Sequence, residues 1–122
     1  MRTPLLLFKG KMPFFTREYI DAENDFSKSI ELVENTTNKM HIAYYYLWRS
    51  LFYYEDTEDF FKALNDINYS IIQFSELDRE HPFNYILRGH IYDKVGNREL
   101  MCKDYKKACD LVDCEMFNMY CK

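Results

Sequence analysis

Glycine and proline are scarce in this chain: three of each among 122 residues. Turn chemistry is therefore thin, which speaks against a fold of many short strands and for helices joined by short connections. No apolar run approaches the ~18 residues of a membrane-spanning helix. The longest N-terminal one, Leu5 to Phe8, ends at Lys9-Gly10-Lys11 and falls short of the ~7–15 residues of a secretory leader core. Basic charge is also in deficit, with 16 Lys and Arg against 20 Asp and Glu and a sequence pI near 5.4. Nucleic-acid-binding domains carry a basic face and a pI above ~9, so neither nucleic acid nor membrane is expected as a partner. Histidine is limited to His41, His81 and His90. There is no metalloprotease, nucleophile-elbow or phosphate-loop motif, so no catalytic residue, cofactor or metal is assigned and the chain is read as a non-enzyme.

What the chain has in abundance is aromatic side chains: 11 Tyr, 10 Phe and one Trp. They sit in a pattern that repeats. Lys9-Gly10, Arg49-Ser50 and Arg88-Gly89 each place a basic residue before a small one, and Asp25-Phe26, Asp66-Ile67 and Asp104-Tyr105 follow 16, 17 and 16 residues after the base. Four residues beyond each aspartate stands another small residue, Ser29, Ser70 or Ala108. The aspartates recur after 41 and then 38 residues. Apolar positions within each unit follow helical spacing: Tyr85, Gly89 and Tyr92, then Met101, Tyr105, Ala108 and Leu111. Gly96 suits the left-handed position that ends a helix, Asn97 the cap that starts the next, and Pro82 a first helical turn. Thr16 is the expected cap in the first unit, and Asp56-Thr57 the expected break in the second. The spacing predicts helices at about 4–12, 16–34, 38–55, 57–76, 82–95 and 97–112, with a short one near 114–121. Pro13 shortens or breaks the first.

These residues resemble the tetratricopeptide repeat family. The match is best over Tyr85 to Leu111, through Tyr85, Gly89, Tyr92, Gly96, Tyr105 and Ala108. The second unit keeps Tyr46, Tyr53, Ala63 and Ser70, with Ser50 for the expected glycine and one extra residue in its turn. The first keeps Gly10, Ala22, Phe26 and Ser29, with Pro13 where an aromatic is expected, and the period exceeds the usual ~34. The resemblance implies an all-α fold in one domain over 1–122. Three antiparallel helix-turn-helix repeats (about 4–34, 38–76 and 82–112) would stack as a short right-handed solenoid, closed by a capping helix at about 114–121. Gly89 and Ala108 would let the two helices of a hairpin approach closely. Arg49 with Asp66 and Arg88 with Asp104 are expected to bridge each hairpin as partly buried ion pairs. Leu111, Met116, Phe117 and Tyr120 would supply the apolar side of the cap.

The implied function is a protein-interaction module that holds a partner protein or peptide in an apolar groove. The resemblance places Tyr44, Leu47, Leu51, Tyr54 and Glu55 of the second unit and Phe83, Ile86, His90, Asp93 and Lys94 of the third on that groove, with Leu7, Lys11 and Phe14 added by the first. Each of these residues could equally serve the core. Some family members grip a partner's terminal carboxylate with a clamp of polar and basic residues; here Trp48, Phe83 and Leu87 occupy those positions, so that clamp is absent. A homodimer that buries the same surface, with Leu5 to Leu7 as part of its seal, is the alternative. A cysteine-based metal or redox protein is the third reading. Its candidates, Cys102, Cys109, Cys114 and Cys121, lack the close pairs of a zinc site. They are read as reduced, buried thiols in a cytoplasmic protein, with a Cys109–Cys114 or Cys114–Cys121 disulfide as the lesser option. The acidic run Glu55, Asp56, Glu58 and Asp59 is read as helix-start capping rather than a metal site.

Overall fold

The structure is a computed structural model that describes residues 17–122. Described residues are helical throughout, with no strand: α1 (Arg17–Glu34), α2 (Lys39–Phe52), a π-helical turn (Tyr53–Thr57), α3 (Phe60–Glu76), α4 (Pro82–Lys94), α5 (Arg98–Leu111) and α6 (Glu115–Tyr120). The expected first helix at 4–12, its cap Thr16, and Leu7, Lys11 and Phe14 lie outside the described residues.

Local chemistry sets the boundaries. Asn38, Asp59 and Asn97 each accept a hydrogen bond from the backbone N–H three residues on, at 3.1, 3.1 and 3.0 Å, which satisfies one orphan donor at each helix start. Pro82 opens α4. Gly96, at φ +84°, turns the chain out of α4, and Asn97 N–H closes the turn on Tyr92 C=O at 2.8 Å. In the preceding unit Glu58 takes the left-handed position and Asp59 N–H closes on Tyr53 C=O at 3.0 Å. One more residue is enclosed there than in the later unit. The π turn absorbs it, so the break falls at Glu58-Asp59 rather than at Asp56-Thr57. Of the acidic run only Asp59 caps a helix.

Successive helices run antiparallel. Tyr46 with Glu34, Arg49 with Ser27 and Tyr53 with Glu23 set α1 against α2. α2 packs most closely on α3, and α4 on α5. Between α2 and α3, Ser50 donates to Ala63 C=O and Ser70 to Ala43 C=O, both at 2.7 Å and buried. The core gathers Ala43, Leu47, Phe52, Tyr53, Ile67, Phe74, Leu87, Ile91 and Ala108 among others. Small residues stand where helices meet: Ala43, Ser50, Ala63 and Ser70 are fully enclosed. Gly89 lies so close to the Tyr105 ring that a Cβ there would stand 2.4 Å from Cε1.

The cysteine reading needs correction. Cys102 is bonded to Cys121 and Cys109 to Cys114, and none is free. The bonds nest, folding α6 back on α5. Cysteines seven residues apart on each side of the reversal face one another in order, which one-at-a-time inspection of the spacings overlooks. Disulfides persist in oxidising surroundings, so the ground for a cytoplasmic location, reduced thiols, is removed. Among the described residues no helix is long and apolar enough to cross a membrane.

Candidate functional site

Two arginines organise the helices in the same way. Arg49 on α2 grips Asp66 on α3 with Nε and Nη2, at 2.7 and 2.9 Å, and its Nη1 reaches back to Ser27 Oγ on α1 at 3.0 Å. Arg88 on α4 grips Asp104 on α5 through the same two nitrogens, both at 2.8 Å, and its Nη1 reaches back to Asn68 Oδ1 on α3 at 2.9 Å. Ser27 and Asn68 each stand two residues after the aspartate of their unit. Each guanidinium also lies over the tyrosines three before and four after it, Tyr46 and Tyr53 or Tyr85 and Tyr92. The expected ion pairs are thus present as bidentate forks, the geometry that favours arginine over lysine. The aspartate side chains are only 2% and 6% exposed. Each contact holds its arginine's pKa above the usual value: for Arg49 mainly through the hydrogen bond it donates to Asp66, for Arg88 against the cost of burial.

Because α2 and α4 are both antiparallel to α3, they run in one direction. Through Phe74 of α3 an aromatic chain links the middle of α2 to the start of α4: Trp48 to Tyr44 at 5.7 Å, Tyr44 edge-on to Phe74 at 5.0 Å, and Phe74 edge-on to His81 at 5.2 Å. At the other end the Tyr54 ring stacks on His90, with centroids 6.1 Å apart. Between these ends Leu51 and Ile86 are partly exposed, while Trp48 and Phe83 are each 46% exposed. Tyr44, Leu51, Tyr54, Phe83, Ile86, His90 and Lys94 are therefore all accessible in part or in full. Leu47 is not. At 6% exposure it belongs to the core, because it shares a stripe with Ala43 and Ser50, the residues that touch α3. Leu87 is likewise enclosed.

His90 is the polar feature of this surface. Its Nδ1 lies 2.6 Å from the Tyr105 hydroxyl. Tyr105 is 2% exposed, and burial raises its pKa to about 12. Of the two tautomers, the one with the imidazole's own proton on Nε2 lets Nδ1 accept from the phenol and gives the buried hydroxyl proton an acceptor. Burial lowers the His90 pKa, with Asp93 opposing, so the ring is neutral near pH 7. Burial raises the Tyr54 pKa, and the charges of Asp93, Glu55 and Glu58 add to the rise. The π turn and the end of α4 enclose a depression of about 380 Å³ there, lined by Tyr54, Glu55, Asp56, Glu58, Phe60 and Lys94. The periodicity reading placed His90 and Lys94 but missed Tyr105 as His90's support. The signal was available: Gly89 removes the side chain that would separate that ring from α4. Among the described residues no group of His, Cys, Asp and Glu has a metal-binding arrangement.

The chain matches no protein-family model, no curated protein and no solved structure.

Proposed function

We propose that the chain is a tetratricopeptide-type interaction module whose hairpins stack as a short right-handed solenoid, and that the surface between α2 and α4 holds a segment of a partner protein. One observation carries this reading. The arginine contacts at Arg49 recur at Arg88 with every partner in register, so each step from one hairpin to the next is the same step. Units related in this way set their first helices alongside one another and leave an inner face between them. That face here carries Tyr44, Leu51, Phe83 and Ile86, with Trp48 beside Tyr44 and His90 at one end. Large aromatic side chains in partial exposure are the residue types that anchor protein interfaces. In this reading the Arg–Asp forks, Gly89 and Ala108 hold the scaffold and α6 closes its C-terminal end.

Replacement of Tyr44, Leu51 and Phe83 by Ala tests the reading. The expected result is loss of partner capture in affinity pull-downs, with an unchanged helical circular dichroism spectrum and an unchanged melting profile. Undiminished capture by the triple variant overturns it. Light scattering separates the homodimer alternative: concentration-dependent doubling of mass that the same three substitutions abolish would transfer the surface to self-association.

A further inference from the structure

The surface between α2 and α4 is not uniform along its length, and we infer that its occupant is a peptide segment with apolar side chains at one end and a lysine or arginine at the other. This rests on the surface being a binding site at all, and it names the chemistry of what binds. Toward the start of α4 the surface is aromatic: Phe83 stands in the first turn of α4, Tyr44 on α2 with Trp48 one turn further along, and Phe83 and Trp48 are nearly half exposed. At the other end Glu55, Asp56 and Glu58 of the π turn and the residue after it line the depression with Tyr54, and Asp93 follows His90 by three residues on α4, one turn along the same face. Among the described residues Asp56, Glu58 and Asp93 enter no ion pair, in contrast to Glu23, Asp66, Glu80 and Asp104, each held by a lysine or arginine. Among the described residues Lys94 is the single cation lining that depression. Negative charge therefore exceeds positive charge where the apolar stripe ends. A neutral His90 adds no repulsion to an arriving cation.

Tyr54 stands five residues after Arg49, as Asp93 stands five after Arg88, and the Tyr54 ring stacks on His90. A cation seated there meets an aromatic ring as well as carboxylates, an arrangement worth more than either alone when partly desolvated. The fold itself uses it at Arg49, Lys62, Arg88 and Lys107, each of which lies over a tyrosine. Spacing follows from the helix. Phe83 and His90 are seven residues apart, or about 10 Å at 1.5 Å per residue, and Lys94 lies about 6 Å further. An extended peptide covers that in roughly three to five residues, so the basic residue should follow or precede the apolar anchor at about that interval.

The test pans a display library of short random peptides against the whole chain and measures the selected peptides by fluorescence anisotropy. Expected is an excess of Lys or Arg at three to five residues from an apolar anchor, and affinity that falls with added salt. The double variant Glu58→Gln with Asp93→Asn should bind these peptides several-fold to about tenfold more weakly. It should bind their Gln-substituted counterparts as the unmodified chain does. Selected peptides with no basic excess, or basic peptides indifferent to that double variant, overturn this inference and leave the binding surface standing. If no selected peptide depends on Tyr44 and Phe83, the surface itself is not the binding site and both readings fall.

Discussion

Replacing Gly89 by alanine is a severe test of how α4 and α5 meet. The new Cβ would lie 2.4 Å from Tyr105 Cε1 and 2.7 Å from Cδ1. A ring at the end of a side chain can often swing aside, but this one is 2% exposed, bonded to His90 and in contact with the Tyr120 ring. Overfilling such a site costs ~1–3 kcal/mol, and the displaced phenol forfeits a hydrogen bond of ~1 kcal/mol. Alanine recovers ~1 kcal/mol through its better helix propensity. The net is a loss of about 1–3 kcal/mol, which for a chain of this size lowers Tm by at least about 4 °C. Urea and thermal unfolding measure it. Nitrogen NMR of the imidazole supplies a second readout, since a displaced Tyr105 frees His90 Nδ1 and mixes the tautomers. Ser50, at the corresponding place on α2, already carries a Cβ, so Ser50→Ala should cost only its bond to Ala63 C=O, ~1 kcal/mol. A Gly89→Ala protein as stable as the parent, with His90 still protonated on Nε2 alone, would refute the close approach.

Other expectations follow from the same contacts. Arg88→Ala strips Asp104 of both its fork bonds in a site where the carboxylate is 6% exposed; stability should fall by about 3–5 kcal/mol in urea titration. His90 has a folded pKa below its ordinary 6.5. Between those two values the unfolded chain takes up a proton that the folded chain refuses, so stability should fall as pH drops below 6.5. Unfolding midpoints over a pH series should show that slope, and His90→Gln, with Tyr54, Tyr105 and Asp93 untouched, should flatten it. Alkylation followed by mass measurement should find no reactive thiol before reduction and four after. Once reduced, α6 should exchange its amide hydrogens faster while α1 to α5 stay protected, because no residue of α6 is buried.

Much of this was legible in the sequence for local reasons. Asn97 and Gly96 announce a helix start and a helix end by their own backbone chemistry, and the Arg–Asp spacing survives because both helices of a hairpin are regular. The second unit was read two residues short at its turn. A π turn leaves no residue-type signature, and Asp56, Thr57 and Asp59 are all plausible caps until the backbone path is known. Leu47 was misplaced for a different reason. Helical spacing assigns it equally to the stripe of Tyr44 and Leu51 and to that of Ala43 and Ser50, and only the position of α3 decides. Of the two disulfides, Cys109–Cys114 was in view only as the lesser option and Cys102–Cys121 was not in view at all, because the latter pairing is a property of two helices at once, whereas each cysteine alone passes for a small apolar residue.

The backward reach of Arg49 and Arg88 has a thermodynamic consequence. Each guanidinium closes its own hairpin and also donates a bond to the helix before it, to Ser27 or Asn68. If one hairpin frays, the next is left with a half-buried charge short of a partner, so damage in one unit is felt in its neighbour. Melting should accordingly proceed as one event from α1 to α5 rather than hairpin by hairpin, and a fragment cut between α3 and α4 should be disproportionately fragile.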